Sequence, residues 1–164
     1  GRAQCKIARQ YFLDQNITFD KAYCSTSERT SDTLEIVTDY SMDYKRLKGL
    51  KEWNFGAFEG KDEFLNPKYP YGDFFKAYGG ESDVELRERV SSTLLDIMRQ
   101  DGHDSVLVVS HGASCGQFVL NWEHETRGPK FKRGITNCAI FKFEFEDDKF
   151  HLVEIINHDF SSLE

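Results

Sequence analysis

Val106-Leu107-Val108-Val109 is an unbroken apolar run between Ser105 and Ser110. Such a run reads as a strand covered on both faces, the kind found in a parallel sheet. It breaks into Ser110-His111-Gly112, and an amphipathic stretch follows from Ala113 to about Glu123, with Phe118, Val119 and Trp122 at helical spacing. The pattern is strand, tight turn, helix. His111 therefore stands at the carboxyl end of a strand, where open α/β sheets bind ligands. Gly112 lets a backbone approach a ligand, and the first N–H groups of the helix from Ala113 on face an anion.

The rest of the chain repeats these periods. Gly1 to about Asp14 places Ile7, Ala8, Tyr11 and Phe12 on one helical face. A short strand is expected around Lys21-Ala22-Tyr23-Cys24, within 17–25. Ser25-Thr26-Ser27 then supplies cap chemistry for a helix over about 28–39. The stretch 44–53 reads as extended. Ser82-Asp83-Val84-Glu85 is a capping box opening a helix to about Gln100, which Gly102 ends. After a loop over 127–136, residues 138–145 and 150–156 alternate around a turn at 146–149, the pattern of an antiparallel hairpin.

Between Asn54 and Gly80 the composition changes. The stretch holds Pro67 and Pro70, several glycines, and Phe55, Phe58, Phe64, Tyr69, Tyr71, Phe74, Phe75 and Tyr78. A functional lid and an aromatic mini-core under a long loop are both consistent with it. The element order predicts an α/β fold: a three-layer α/β/α sandwich, mostly parallel, with a C-terminal antiparallel hairpin. A length of 164 residues suits one domain over 1–164, with 54–80 as an insertion or lid.

Charge and cysteine usage narrow the function classes. The formal net charge of −7 argues against general nucleic-acid or anionic-membrane binding. No apolar run reaches membrane-spanning length and no secretory segment is visible. Cys5, Cys24, Cys115 and Cys138 show no metal-like spacing and read as free thiols of a cytoplasmic protein. His151 and His158-Asp159 are isolated, so no metal site is expected.

Three further stretches carry candidate chemistry. Arg29 falls in the first turn of the helix after the short strand, where a cation opposes the helix dipole unless it reaches an anion. Glu52 lies beside Trp53 and Phe55, and an apolar surround would suit a general acid. The bland readings are a solvated arginine and a Glu52 or Glu59 paired with a lysine. Gly79-Gly80-Glu81-Ser82 is explained by a turn and a cap.

Taken together, 24–33 (CSTSERTSDT), 50–60 (LKEWNFGAFEG), Gly80-Glu81-Ser82 with Arg89 downstream, Val108-Val109-Ser110-His111-Gly112 and Thr136-Asn137-Cys138 resemble the histidine phosphatase superfamily, also called phosphoglycerate mutase-like. The resemblance spans nearly the whole chain with the motifs in order. It implies a phosphomonoester hydrolase working through phosphohistidine, without metal or cofactor. Arg29, His111, Gly112, Ala113 and Asn137 would bind the phosphoryl group. His111 would also stabilise its charge, and Glu52 would protonate the leaving oxygen and then activate water. The expected partner is a small phosphorylated substrate, not nucleic acid or membrane, with a homodimer as the candidate assembly.

The family's nucleophile lies in an Arg-His-Gly motif on its first strand. Of the five histidines here only His111 precedes a glycine, and no arginine precedes it. The expectation is a missing central strand and loop of about 10–30 residues next to 105–110. The chain as given is then inactive, and its sheet lacks its middle. The alternatives are a cofactor-dependent mutase and a non-catalytic phospho-ligand binder. The stretch 58–78 has Lys61, Lys68 and Lys76 but no arginine, which favours the phosphatase.

Overall fold

The computed structural model describes residues 1–62, 65–131 and 136–163. Phe64 and part of the expected 127–136 loop lie outside the described residues. Strand β1 (Lys21–Cys24) runs parallel to β3 (Val106–Val109), with Lys21 opposite Val106 and Cys24 opposite Val109. The two-residue β2 (Lys45–Arg46) pairs with the other edge of β1, giving the order β2-β1-β3. The Asp20 carboxylate accepts the Asp104 and Ser105 N–H groups at 3.1 and 2.8 Å, pinning the amino ends of β1 and β3 together.

Alternate side chains of these strands serve two layers. Ala22, Cys24, Leu107 and Val109 face a core with Cys5 and Ala8 of α1 (Arg2–Asp14) and Leu34, Ile36 and Val37 of α2 (Glu28–Val37). Tyr23, Val106 and Val108 face a second core. That core holds Leu86, Val90, Leu94 and Ile97 of α3 (Asp83–Met98) and Phe118 of α4 (Gly112–Asn121). The α3 capping box forms as expected: the Glu85 N–H donates to Ser82 Oγ at 3.1 Å, and the Ser82 N–H to Glu85 Oε1 at 3.0 Å. The helix ends at Met98, and Gly102 adopts its positive φ of 75° in the turn beyond.

Strands β4 (Ile140–Glu146) and β5 (Lys149–Ile156) form the antiparallel hairpin. Asp147 and Asp148 take φ of 55° and 59°, the left-handed pair that a two-residue hairpin turn requires. The hairpin packs on the helices through Phe118, Phe143, Phe150 and Trp122. Among the described residues it shares no ladder with the parallel sheet, and neither the edge of β3 away from β1 nor the edge of β4 away from β5 has a strand partner. A cleft of about 1610 Å³ runs between them, bordered by β3, β4, Cys5 and Ala8 of α1, Arg29 and His111.

The extended reading of 44–53 is interrupted: Lys45–Arg46 pair as a strand and Leu47 and Lys51 are extended, but a 3-10 turn at Lys48–Leu50 bends the chain and buries Leu50. The described residues of 54–80 include 3-10 turns at Gly56–Phe58 and Phe74–Tyr78 and take the mini-core form of the two readings. Trp53, Phe55, Phe58, Tyr71 and Phe74 each meet the fully buried Phe75 edge to face, and Trp53, 1% exposed, also stacks on Phe55. That aromatic packing is a mini-core continuous with the α3 side. Among the described residues, none between 53 and 89 borders the large cleft.

Candidate active site

The register of β1 and β3 sets the site. Because Cys24 lies opposite Val109, the chain leaves both strands side by side at the carboxyl edge, where the Ser25 N–H still donates to Val109 O at 3.3 Å. Ser25 is fully buried, and its Oγ lies 2.9 Å from His111 Nε2 and 2.8 Å from Thr30 Oγ1. It also accepts the Ser27 N–H at 3.1 Å. The single Ser25 proton serves either Thr30 or His111, so the direction of the contact follows the imidazole tautomer. The serine holds the ring at the end of the strand.

His111 is the N-cap residue of α4 and is half-buried. Burial lowers its pKa from the ordinary 6.5; the Glu52 carboxylate pulls it back up, and the charges of Arg29 and Arg89 lower it further. The ring is therefore neutral at pH 7.

Glu52 sits against the start of α4. Its Oε1 accepts the Ser114 N–H at 2.9 Å, the Ser114 hydroxyl at 3.1 Å and the Trp53 N–H at 2.9 Å. Among the described residues its Oε2 accepts only the Ala113 N–H, at 3.2 Å. The carboxylate thus occupies part of the positive end of the helix. The expected apolar surround is replaced by amides and a hydroxyl, because the Trp53 and Phe55 rings turn into the aromatic mini-core. No lysine pairs with Glu52 or Glu59 among the described residues.

The loop carrying Glu52 is held from three elements. Ser110 donates to Leu50 O at 2.7 Å and Ser114 to Lys51 O at 2.7 Å. From α3, Arg89 donates to Gly49 O and Lys51 O at 2.9 Å each, and to Glu52 O at 3.3 Å. Its guanidinium also forks onto Glu81, at 2.6 and 3.2 Å. Glu81 in turn accepts the Asn54 N–H at 2.8 Å, and its carbonyl accepts the Trp53 indole N–H at 2.9 Å. The Gly80-Glu81-Ser82 stretch therefore does more than turn the chain: it anchors the arginine that fixes the Glu52 loop. Ser25, Ser110 and Ser114 escaped the sequence reading. Small hydroxyl residues at strand and helix ends were its only signal.

Arg29 is exposed at the first turn of α2 and borders the cleft, with no partner among the described residues. Gly112 has open space where a Cβ would stand, and its N–H has no partner among the described residues. Ala113 borders the same helix end, but its N–H is already given to Glu52. Asn137, exposed on the turn before β4, borders the cleft and donates to Gln4 Oε1 at 3.4 Å. The structure thus gathers Arg29, Glu52, His111 and Gly112 at one carboxyl edge, with Asn137 on the opposing wall of the cleft.

Residues 1–158 match the family model described as histidine phosphatase superfamily (branch 1). The chain belongs to that superfamily. Solved structures of similar fold include a phosphoglycerate mutase from Bacillus anthracis. It is 22% identical with a TM-score of 0.75, covering 91% of this chain and 78% of the other. A phosphoserine phosphatase from Entamoeba histolytica, in complex with 3-phosphoglyceric acid, is 22% identical with a TM-score of 0.71, covering 98% and 83%. An alpha-ribazole phosphatase from Shigella flexneri is 17% identical with a TM-score of 0.70, covering 96% and 81%. Among curated proteins, a probable 6-phosphofructo-2-kinase of Schizosaccharomyces pombe is 29% identical over 115 residues. That match takes in 63% of this chain but only 19% of the relative's length. Superfamily membership agrees with the resemblance in the motifs, and the structural neighbours agree with the α/β fold and its C-terminal hairpin.

Proposed function

We propose that this histidine phosphatase superfamily chain is the phosphoryl-binding and acid-base part of a phosphomonoester hydrolase. The observation that carries the reading is the convergence of Arg29, His111 and Glu52 at the carboxyl ends of two adjacent parallel strands. Arg29, exposed and unpaired among the described residues, is suited to bind two phosphoryl oxygens at once. Neutral His111 donates one hydrogen bond to a third oxygen and stabilises the charge that grows there. The free Gly112 N–H at the helix start adds a second donor. Asn137 closes the site from the opposing wall.

The nucleophile in this reading is a histidine outside residues 1–164. His103, the other histidine bordering the cleft, is engaged at both nitrogens, by Tyr23 Oη at 2.6 Å and Asp101 O at 3.0 Å. The cleft of about 1610 Å³ bordered by β3 and β4 is where this reading puts the segment that brings a histidine opposite His111. The nucleophilic nitrogen forms a bond to phosphorus as the ester P–O bond breaks. Glu52 Oε2, the less engaged carboxylate oxygen, delivers the proton to the leaving oxygen. Water then attacks phosphorus, the N–P bond breaks, and Glu52 takes the water proton back. The substrate class is a small phosphomonoester.

A hydrolase is favoured over a mutase because the stretch 58–78 has no arginine for a second phosphate, and Lys76 already lies 3.7 Å from Glu85. The test is hydrolysis of p-nitrophenyl phosphate by the natural translation product that contains these residues, beside residues 1–164 alone. The reading expects turnover from the former, insensitive to chelator, and none from the latter. Turnover from neither, with phosphate still bound, would replace it by the non-catalytic binder.

A further inference from the structure

We propose that Cys5 and Cys138 form a reversible, oxidant-driven disulfide that ties α1 to the β4 side of the cleft. Their sulfurs lie 3.7 Å apart although the residues are 133 positions apart in the chain. Both are free thiols here. A disulfide needs the sulfurs to close by about 1.7 Å, within reach of side-chain rotation when both thiols already touch. Cys5, 5% exposed, also donates to Thr33 Oγ1 at 3.6 Å, so its sulfur is oriented rather than free to turn away. Cys138 is half-buried and so open to a small oxidant, whereas Cys24 is 0% exposed.

The backbone on both sides is fixed. Cys138 holds a left-handed φ of 59°, and its carbonyl meets His158 Nε2 at 2.8 Å. Asn137 beside it reaches Gln4 on the same turn of α1 as Cys5. The pair thus stands where the two walls of the cleft meet. Burial, then the adjoining Cys5 thiol, pushes Cys138 up to about 12, so the thiolate fraction is small and the bridge forms slowly, through the contact of the two sulfurs rather than through an activated thiolate.

The oxidant class is a hydroperoxide. The Cys138 sulfur attacks one peroxide oxygen as its thiol proton departs, the O–O bond breaks, and the second oxygen leaves as hydroxide and takes up a proton to become water. The sulfenic acid on Cys138 is then attacked by the Cys5 sulfur. The S–O bond breaks, the S–S bond forms, and a second water departs with the Cys5 proton. Two thiols lose two electrons in total, and one peroxide is reduced to two waters.

The test is treatment with hydrogen peroxide, then alkylation of the unfolded protein and peptide mapping by mass spectrometry. The expected product is one cross-linked peptide pair joining Cys5 to Cys138, lighter by two hydrogens and opened by dithiothreitol, with Cys24 and Cys115 alkylated. Hydrogen exchange in 136–141 and in the first turn of α1 slows in the oxidised form. Cys115→Ser keeps the bridge; Cys5→Ser and Cys138→Ser abolish it. Cys138 found as sulfinic acid beside an alkylated Cys5, all four thiols still alkylated, or a bridge to Cys24 or Cys115 would overturn the proposal. The readout is the bond itself, so its failure is distinct from failure of the phosphatase reading.

Discussion

Arg89→Ala is the perturbation that examines how Glu52 is held. The guanidinium makes five hydrogen bonds: two to Glu81 and three to the carbonyls of Gly49, Lys51 and Glu52. The Arg89 and Glu81 side chains are 26% and 14% exposed. Breaking a fully buried pair by removing one partner costs about 3–5 kcal/mol, and an exposed pair contributes about 0–1. At this intermediate burial, with water able to recover some of the carbonyls, the loss is about 3 kcal/mol. For a chain of this length that lowers Tm by roughly 6–12 °C. Arg89→Lys keeps the charge but not the fork, so it recovers less than half of the loss. Urea and thermal unfolding of wild type, Arg89→Ala, Glu81→Gln and the double variant give the coupling, expected at about 1–2 kcal/mol. A loss under about 1 kcal/mol with no coupling would refute the clamp, since the hydrogen bonds would then be surface decoration.

Three other outcomes follow from the geometry. A Cβ at Gly80 would stand 2.5 Å from Asn54 O and 2.9 Å from Gly56 N. Gly80→Ala therefore costs about 3 kcal/mol or more in unfolding experiments, against about 1 for Gly79→Ala, where space is open and only the φ of 81° is strained. His111 titrates below 6.5 by NMR. Arg29→Gln raises that value by removing a repelling charge, and Glu52→Gln lowers it by removing an attracting one. With the folded pKa depressed, the unfolded chain binds the proton more tightly between the two values. The His111 contribution to stability is therefore whole above about 6.5 and is lost as pH falls toward the folded pKa, a slope that His111→Gln removes. Truncation to alanine of Leu86, fully buried on the inner face of α3, costs about 2–5 kcal/mol, read as a lower urea midpoint at unchanged slope.

The parts legible in the sequence were those whose cause is local. The apolar run before Ser110-His111-Gly112 became β3 and α4 because four apolar residues and a glycine fix that unit without distant partners. The Ser82–Glu85 box and the 147–148 turn are local for the same reason. Arg29 and Glu52 were identified by motif, but the environment given to Glu52 was wrong. Its neighbours in sequence are aromatic, while its neighbours in space are the amides of Ala113 and Ser114, 61 and 62 residues away. The Arg89 clamp was hidden likewise, since it acts on carbonyls 37–40 residues away, and nothing in the spacing of charges marks a carbonyl acceptor. The extended stretch 44–53 is broken at Lys48–Leu50 because Leu50 is buried by turning, not by pairing.

The central claim is that Arg29, His111 and Gly112 form one oxyanion site whose acid is Glu52. Titration of residues 1–164 with orthovanadate, followed by two-dimensional NMR of backbone amides, the Arg29 guanidinium and the His111 ring, tests it without needing a nucleophile. The account predicts saturable shifts centred on Arg29, His111, Gly112 and Asn137, weakened at least tenfold by Arg29→Gln, which is about 1.4 kcal/mol of binding. Shifts scattered over the surface lysines, or binding untouched by Arg29→Gln, would contradict it.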